Sequence, residues 1–159
     1  MTRQDQSTGL SAPPETLEEL EEYVPYLVNR LARLGQAAQN RSLSARGINN
    51  VTLRALSVLH IHGRLTVNEI ATLAFTEQST ASRAIDAMVD AGLVEREISA
   101  NDLRRRDVAL TGTGSERLRE CWPLMEQHYA LMTEGIDAEE IRTCRRVLSR
   151  MTDNLRRGD

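Results

Sequence analysis

At 159 residues the chain is one domain, or one domain with a dimerisation extension, and its 40% apolar content allows a packed core. Only 3% of residues are aromatic, so Leu, Ile, Val, Ala and Met must fill that core, and a single-stranded nucleic-acid module with stacked rings is disfavoured. The formal net charge is −3 and the 20 basic residues are all Arg; residues 41–111 hold nine of them against eight acids, net +1, which is no general basic patch and leaves any nucleic-acid contact to a few placed cations.

No run of about 18 apolar residues and no apolar signal core near Met1 is present, so a cytoplasmic protein without a membrane segment is expected. Residues 1–15 are polar, with Gly9 and the Pro13-Pro14 pair, and are expected to form a disordered N-terminal arm. Thr16 and Glu19 form a capping box. Leu17, Leu20, Val24, Leu27, Leu31, Leu34 and Ala38 then follow at 3-4 spacing, the pattern of a helix laid along another helix. The phase survives Pro25, which predicts a kink inside one helix that runs to about Arg46 and stops at Gly47. A helix of about 30 residues exceeds what so small a domain needs for its own core, which points to a dimer interface. Asn50 is the expected cap of a second helix, with Leu53, Leu56 and Leu59 inward and Gly63 at its end.

Thr66 to Val94 reads as two short helices joined by a tight turn. Thr66 and Glu69 make another capping box, and Ile70, Ala71 and Leu73 supply a small apolar face. Phe75 and Thr76 form the turn, with Thr76 as cap of the second helix. That helix carries Ala81, Ile85 and Met88 on one side, with Ala84 and Val89 beside them, and Gly92 sits at its C′ position. Gln78, Ser79, Thr80, Ser82 and Arg83 occupy the opposite face. A polar, mostly uncharged tip on a small-residue back suits the major groove of DNA, where base edges offer donors, acceptors and methyl groups. The plain alternative is a solvated amphipathic helix in an all-α bundle.

After Gly92 the period changes to two. Val94, Arg96 and Ile98 alternate with Glu95 and Glu97 as a strand, Ser99 to Arg105 is a polar turn, and Asp107 to Leu110 returns. This β-hairpin directly behind the second helix is where a winged helix keeps its wing. Thr111 caps the next helix, with Gly114, Leu118, Cys121, Trp122, Met125, Tyr129 and Met132 on its apolar side and a bend at Pro123. Asp137 and Glu140 open a last helix with Ile141, Cys144, Val147, Leu148, Met151 and Leu155 inward. The fold class is therefore mostly α with a small β-hairpin. A winged helix-turn-helix lobe is expected over residues 49–111, on a long-helix dimerisation base made by residues 16–48 and 112–157.

The residues now resemble a MarR-family transcriptional regulator. STASRAIDAMVDAGLVER, Ser79 to Arg96, is similar to the family's recognition helix and to the GLV-x-R that leads into its wing. DLRRRDVALT fits the family's D-x-R-x-x-x-V-x-L-T wing pattern at Asp102, Arg104, Val108, Leu110 and Thr111, and Thr111 with Gly114 resembles the start of its long helix after the wing. Phe75 departs from the Gly that many members carry in the turn, so a differently built turn is expected. Glu77 at the start of the recognition helix suits the macrodipole but should point away from phosphate. Asp107 offsets part of the charge of the Arg run.

The resemblance implies a homodimer whose paired recognition helices read a pseudo-palindromic double-stranded DNA operator. Gln78, Ser79, Thr80 and Ser82 are the candidates for base edges and phosphates, and Arg83 for guanine or backbone. Arg104 at the hairpin tip is the candidate for the minor groove, held by Asp102, with Arg105 and Arg106 facing phosphates or the body. The resemblance also implies a repressor released by a small aromatic or carboxylate effector, with Tyr26, Arg30, His60 and Trp122 as candidate lining; ordinary core roles are the plain alternative for each.

A winged helix that docks on protein is a further alternative, against which three adjacent Arg at the hairpin tip argue. Redox control through Cys121 or Cys144 would need an accessible, low-pKa thiolate, whereas cysteines on apolar faces are usually inert. His60 and His62, two apart on a helix, point in different directions. No metal site, cofactor or enzymatic nucleophile with its base is expected.

Overall fold

In a computed structural model, described over residues 12–98 and 106–157, seven helices and three short strands follow one another in the order αααβααββαα. Residues 1–11 of the expected arm and the hairpin turn from Ser99 to Arg105 lie outside the described residues.

The first long helix is two helices, α1 (Leu17–Glu21) and α2 (Val24–Ser44). Pro25 falls in the first turn of α2 instead of kinking a continuous helix. There its missing N–H costs nothing, because the first amides of a helix have no intrahelical partner. The capping box at Thr16 is half formed. Thr16 Oγ1 accepts from Glu19 N at 3.2 Å, but the Glu19 carboxylate turns back to Glu15 N, 2.8 Å away.

Helix α3 (Asn50–His62) is capped one residue earlier than expected: Asn49 Oδ1 accepts from Thr52 N at 3.0 Å. Asn50 is instead buried against α2, donating from its backbone N to Asn40 Oδ1 (2.9 Å) and from Nδ2 to the Gln36 carbonyl (3.0 Å). Leu53, Leu56 and Leu59 point into a core shared with Leu43, Ile70, Ile85, Val94, Val108, Leu118 and Cys121, so α3 is the axle on which the other elements pack.

Strand β1 (Arg64–Leu65) precedes α4 (Val67–Leu73) and α5 (Gln78–Asp90), and the hairpin strands β2 (Val94–Ile98) and β3 (Arg106–Leu110) follow. The sheet is antiparallel in the order β1-β3-β2, with Val94 opposite Leu110, Ile98 opposite Arg106 and Leu65 opposite Val108. The alternation of the sequence makes the hairpin legible. It does not reveal β1, because two residues carry no period. The pairing of β1 makes β3 central and leaves Val108 buried. An ion pair from Arg64 to Glu97 (2.7 Å) ties β1 to β2 across β3.

Helix α6 (Gly112–Met132) continues through Pro123, and α7 (Ala138–Arg156) opens at Asp137 and Glu140 as expected, the two residues forming a capping box. Only Gly114, Leu118 and Cys121 of α6 are buried, so Trp122, Tyr129 and Met132 are exposed in the single chain. No residue of α7 is buried, and its Val147, Leu148, Met151 and Leu155 face outward, as do Leu27, Leu31 and Leu34 of α2.

The start of α6 locks the lobe together. Thr111 Oγ1 donates to the Gly92 carbonyl (2.7 Å) and accepts from Gly114 N (3.0 Å), while Thr111 N donates to the Leu93 carbonyl (3.1 Å). A Cβ on Gly114 would lie 1.9 Å from that Leu93 oxygen, so no side chain fits without moving β2 or α6. Overpacking of this kind typically costs about 1–3 kcal/mol or more. Gly114→Ala is therefore expected to lower the stability read from urea unfolding by that amount, with an unchanged m-value. Gly112→Ala, where the added Cβ meets nothing within 4 Å, should change it far less.

Candidate nucleic-acid interface

Helices α4 and α5 form the helix-turn-helix, and each is built as local chemistry dictates. Thr66 Oγ1 accepts from Glu69 N (3.3 Å) and the Glu69 carboxylate accepts from Thr66 N (2.7 Å), the reciprocal capping box read from the sequence. Ile70, Ala71 and Ala74 turn inward, whereas Leu73, expected on the apolar face, is partly exposed at 39%.

The turn has the backbone of a glycine turn without the glycine. Thr76 N donates to the Ala71 carbonyl (3.0 Å) and Phe75 N to the Thr72 carbonyl (3.3 Å), the paired bonds of a Schellman motif with Phe75 at C′. Phe75 accordingly takes φ +51°, and among the described residues it alone of the non-glycines has positive φ. The backbone path is one that glycine adopts freely, and a phenylalanine takes this left-handed region at a cost of about 1–2 kcal/mol.

Thr76 does not cap α5. The N-cap position falls to Glu77, which makes no side-chain cap bond. The first amides of α5 are thus not taken up by a side chain of the N-cap residue, although the Glu77 carboxylate stands at the positive end of the helix dipole. Ala81, Ile85 and Met88 bury the back of α5, and Gly92, at φ +68°, ends it. Gln78, Ser79 and Arg83 are exposed and Thr80 and Ser82 half-buried, so the five residues read from the sequence do share the outer part of this helix. Arg83 Nε donates to the Ser79 carbonyl at 3.3 Å, which lays its guanidinium along the helix.

Arg106, at the start of β3, is exposed next to Asp107, which is buried at 8% exposure rather than lying loose among the Arg run. Asp102, Arg104 and Arg105 lie outside the described residues. Sequence reasoning missed one connection: Arg96 of β2 pairs with Asp86 of α5 at 2.6 Å, fixing the hairpin's first strand to the outer face of the helix. Both residues stand in the recognition-helix motif, but their ten-residue separation crosses a turn and carries no helical or strand period.

The four candidate effector residues do not converge in the chain. His60 and Trp122 line one recess of about 280 Å³ between α3 and α6, with Ser57, Ile61, Ser115, Leu118 and Arg119. Tyr26 and Arg30 are not part of it; Arg30 sits on α2, where it pairs with Glu21 of α1.

A helix pair packed on α3, followed by a hairpin whose returning strand is also joined by a third strand, is a winged helix-turn-helix. A sequence profile of the MarR family matches residues 46–105. The transcriptional repressor MprA of Escherichia coli K12 is 32% identical over 123 residues, 71% of this chain and 68% of that protein. A MarR-family transcriptional regulator from Silicibacter pomeroyi superposes with a TM-score of 0.81 at 35% identity, covering 91% of this chain and 97% of its own. The chain belongs to the MarR family of transcriptional regulators. The same fold, at 22% identity and a TM-score of 0.75 over 86% of this chain and 98% of the other, occurs in an Escherichia coli MarR mutant complexed with operator DNA.

The two cysteines differ. Cys144 is exposed on α7, whereas Cys121 is fully buried. Burial pushes the Cys121 thiol up from its usual range, against the smaller opposing pull of Arg46 and Arg117. Arg46, in the turn after α2, also donates to the Glu120 carbonyl at 2.8 Å, tying that turn to α6 beside Cys121. A raised pKa means less thiolate, so Cys121 is a poor nucleophile in the folded state. A thiol reagent is expected to leave the native Cys144→Ser variant unlabelled and to label it once in urea. Rapid native labelling would show that Cys121 is accessible.

Proposed function

We propose that this MarR-family regulator is a homodimeric repressor that binds a pseudo-palindromic double-stranded operator through α5 and the hairpin, and that a small effector releases it. The observation that carries this reading is α5. Its back is locked into the core by Ala81, Ile85 and Met88, its outer face offers short hydrogen-bonding side chains, and its N-terminus has no side-chain cap of its own. A helix so held presents fixed donors and acceptors to base edges. Gln78, Ser79, Thr80 and Ser82 are the base-edge and phosphate contacts in this proposal, with Arg83, Arg105 and Arg106 neutralising backbone charge. Arg104, oriented by Asp102, enters the minor groove. The MarR mutant solved with operator DNA and the MprA repressor support the assignment as relatives of the same family.

Dimerisation is the proposed use of the outward apolar faces. Leu31 and Leu34 of α2 are 53% and 61% exposed and Leu155 of α7 is 77% exposed, on helices that bury little against their own chain. This divides the chain into a winged lobe over residues 49–111 and a helical base from residues 16–48 and 112–157. For the effector, the recess has both aromatic (His60, Trp122) and cationic (Arg119) residues in its lining, a composition that suits an aromatic carboxylate.

Random-duplex selection followed by binding over a salt series tests the DNA reading. Wild type is expected to select a two-fold symmetric site. Arg83→Ala and Arg104→Ala should weaken binding and reduce the log–log salt slope by about 1 for each phosphate that is no longer neutralised. A folded protein that enriches no duplex would sink it. For the dimer, Leu31→Glu is expected to shift sedimentation from dimer to monomer, and an unchanged dimer would remove α2 from the interface.

A further inference from the structure

The exposed ring of Phe75 has no role in anything described so far. It is 79% exposed, while its neighbour Ala74, at 2%, seals the core beneath the turn. The residue therefore adds no packing and is unfavourable on two counts, since it holds a left-handed backbone that glycine adopts freely and presents an aromatic ring to water. Strain together with an exposed apolar group at one position is the signature of a contact made with something outside the chain.

Placement narrows what that something is. Phe75 lies three residues before Gln78, the first residue of α5, so it stands in the turn that leads into the exposed, polar start of that helix. Helix α4 packs on α3, α5 and β1, whereas the outward apolar stripes lie on α2 and α7. The turn thus belongs to the helix pair that carries the proposed DNA-facing residues, and not to the helices that carry the proposed dimer faces. The turn stands outside the helix that carries the base-edge candidates, so it meets the rim of a groove and not its floor. The rim is sugar and phosphate. A neutral ring gains nothing from phosphate charge but packs on the apolar face of deoxyribose.

We infer that Phe75 is a DNA-contacting residue that packs on the deoxyribose edge of the groove entered by α5. This rests on the DNA-binding reading above. The contact is blind to sequence and displaces no counterion, which separates it from the contacts of Arg83 and of the polar α5 residues. It also explains why a strained Phe stands at C′: glycine would relax the turn but leave the sugar edge uncovered.

The test uses the full-length protein with a duplex that wild type has selected and with a scrambled duplex, titrated by fluorescence anisotropy over a salt series. Phe75→Gly and Phe75→Asn, both tolerant of positive φ, are expected to bind both duplexes about tenfold more weakly with an unchanged salt slope. Their unfolding midpoints should equal or exceed that of wild type, which excludes misfolding as the cause. Phe75→Leu, apolar on the same backbone, should stay within about twofold of wild type. The inference is overturned if Phe75→Gly binds as tightly as wild type, the result expected of a ring that serves a protein partner. It is equally overturned if Phe75→Leu binds as weakly as Phe75→Gly, or if the weakening appears on the selected duplex alone, as a base contact would give. Wild type that binds no duplex at all would remove both this inference and the DNA reading beneath it.

Discussion

The close approach of Gly114 to the Leu93 carbonyl is the constraint on which the lobe depends. Four elements meet there: α5 ends at Gly92, β2 starts just beyond Leu93, β3 ends before Thr111, and α6 begins. Thr111 takes up the loose polar groups of that junction with one hydroxyl and one amide. Three residues, Ala91 to Leu93, join α5 to β2, and Thr111 alone joins β3 to α6, so this contact ties both connections together.

Around this rigid junction the ion pairs have a lesser energetic role. Arg96–Asp86 and Arg64–Glu97 are both partly exposed, and such pairs contribute at most about 1 kcal/mol each. What they supply is direction. One fastens β2 to α5 and the other fastens β2 to β1, so the hairpin root has one orientation relative to the helix and to the sheet. The stability itself comes from Leu56, Leu59, Ile70, Ile85, Val94 and Val108, a core of aliphatic side chains without a ring among them.

Unfavourable local features gather at the other end of α5. Its N-terminus has no side-chain cap, and the turn before it forces Phe75 to positive φ. Natural sequences give up stability at positions that act on other molecules, and they make it up elsewhere. Here the compensation is visible in the same motif, where α4 begins with a complete capping box and α5 ends on a glycine suited to its place.

Much of this was determined by the sequence alone. Short-range patterns sufficed for the Thr66–Glu69 box, the helix start at Asp137 and Glu140, the Thr111 cap, the apolar back of α5 and the alternation of the hairpin, since each signal spans a few residues and needs no distant partner. The family pattern from Asp102 to Thr111 placed the wing in the same way. Tertiary structure decided the rest. Pro25 could keep or break helical phase, and only the fold showed that α2 starts there. Asn49 and Asn50 are both good caps, and it is the grip of Asn40 and Gln36 on Asn50 that gives the cap to Asn49. β1 exists because β3 offers it a free edge, not because two residues have a strand propensity. The left-handed Phe75 goes with the paired bonds that end α4 ahead of α5, and the packing of the two helices outweighs the residue's own preference.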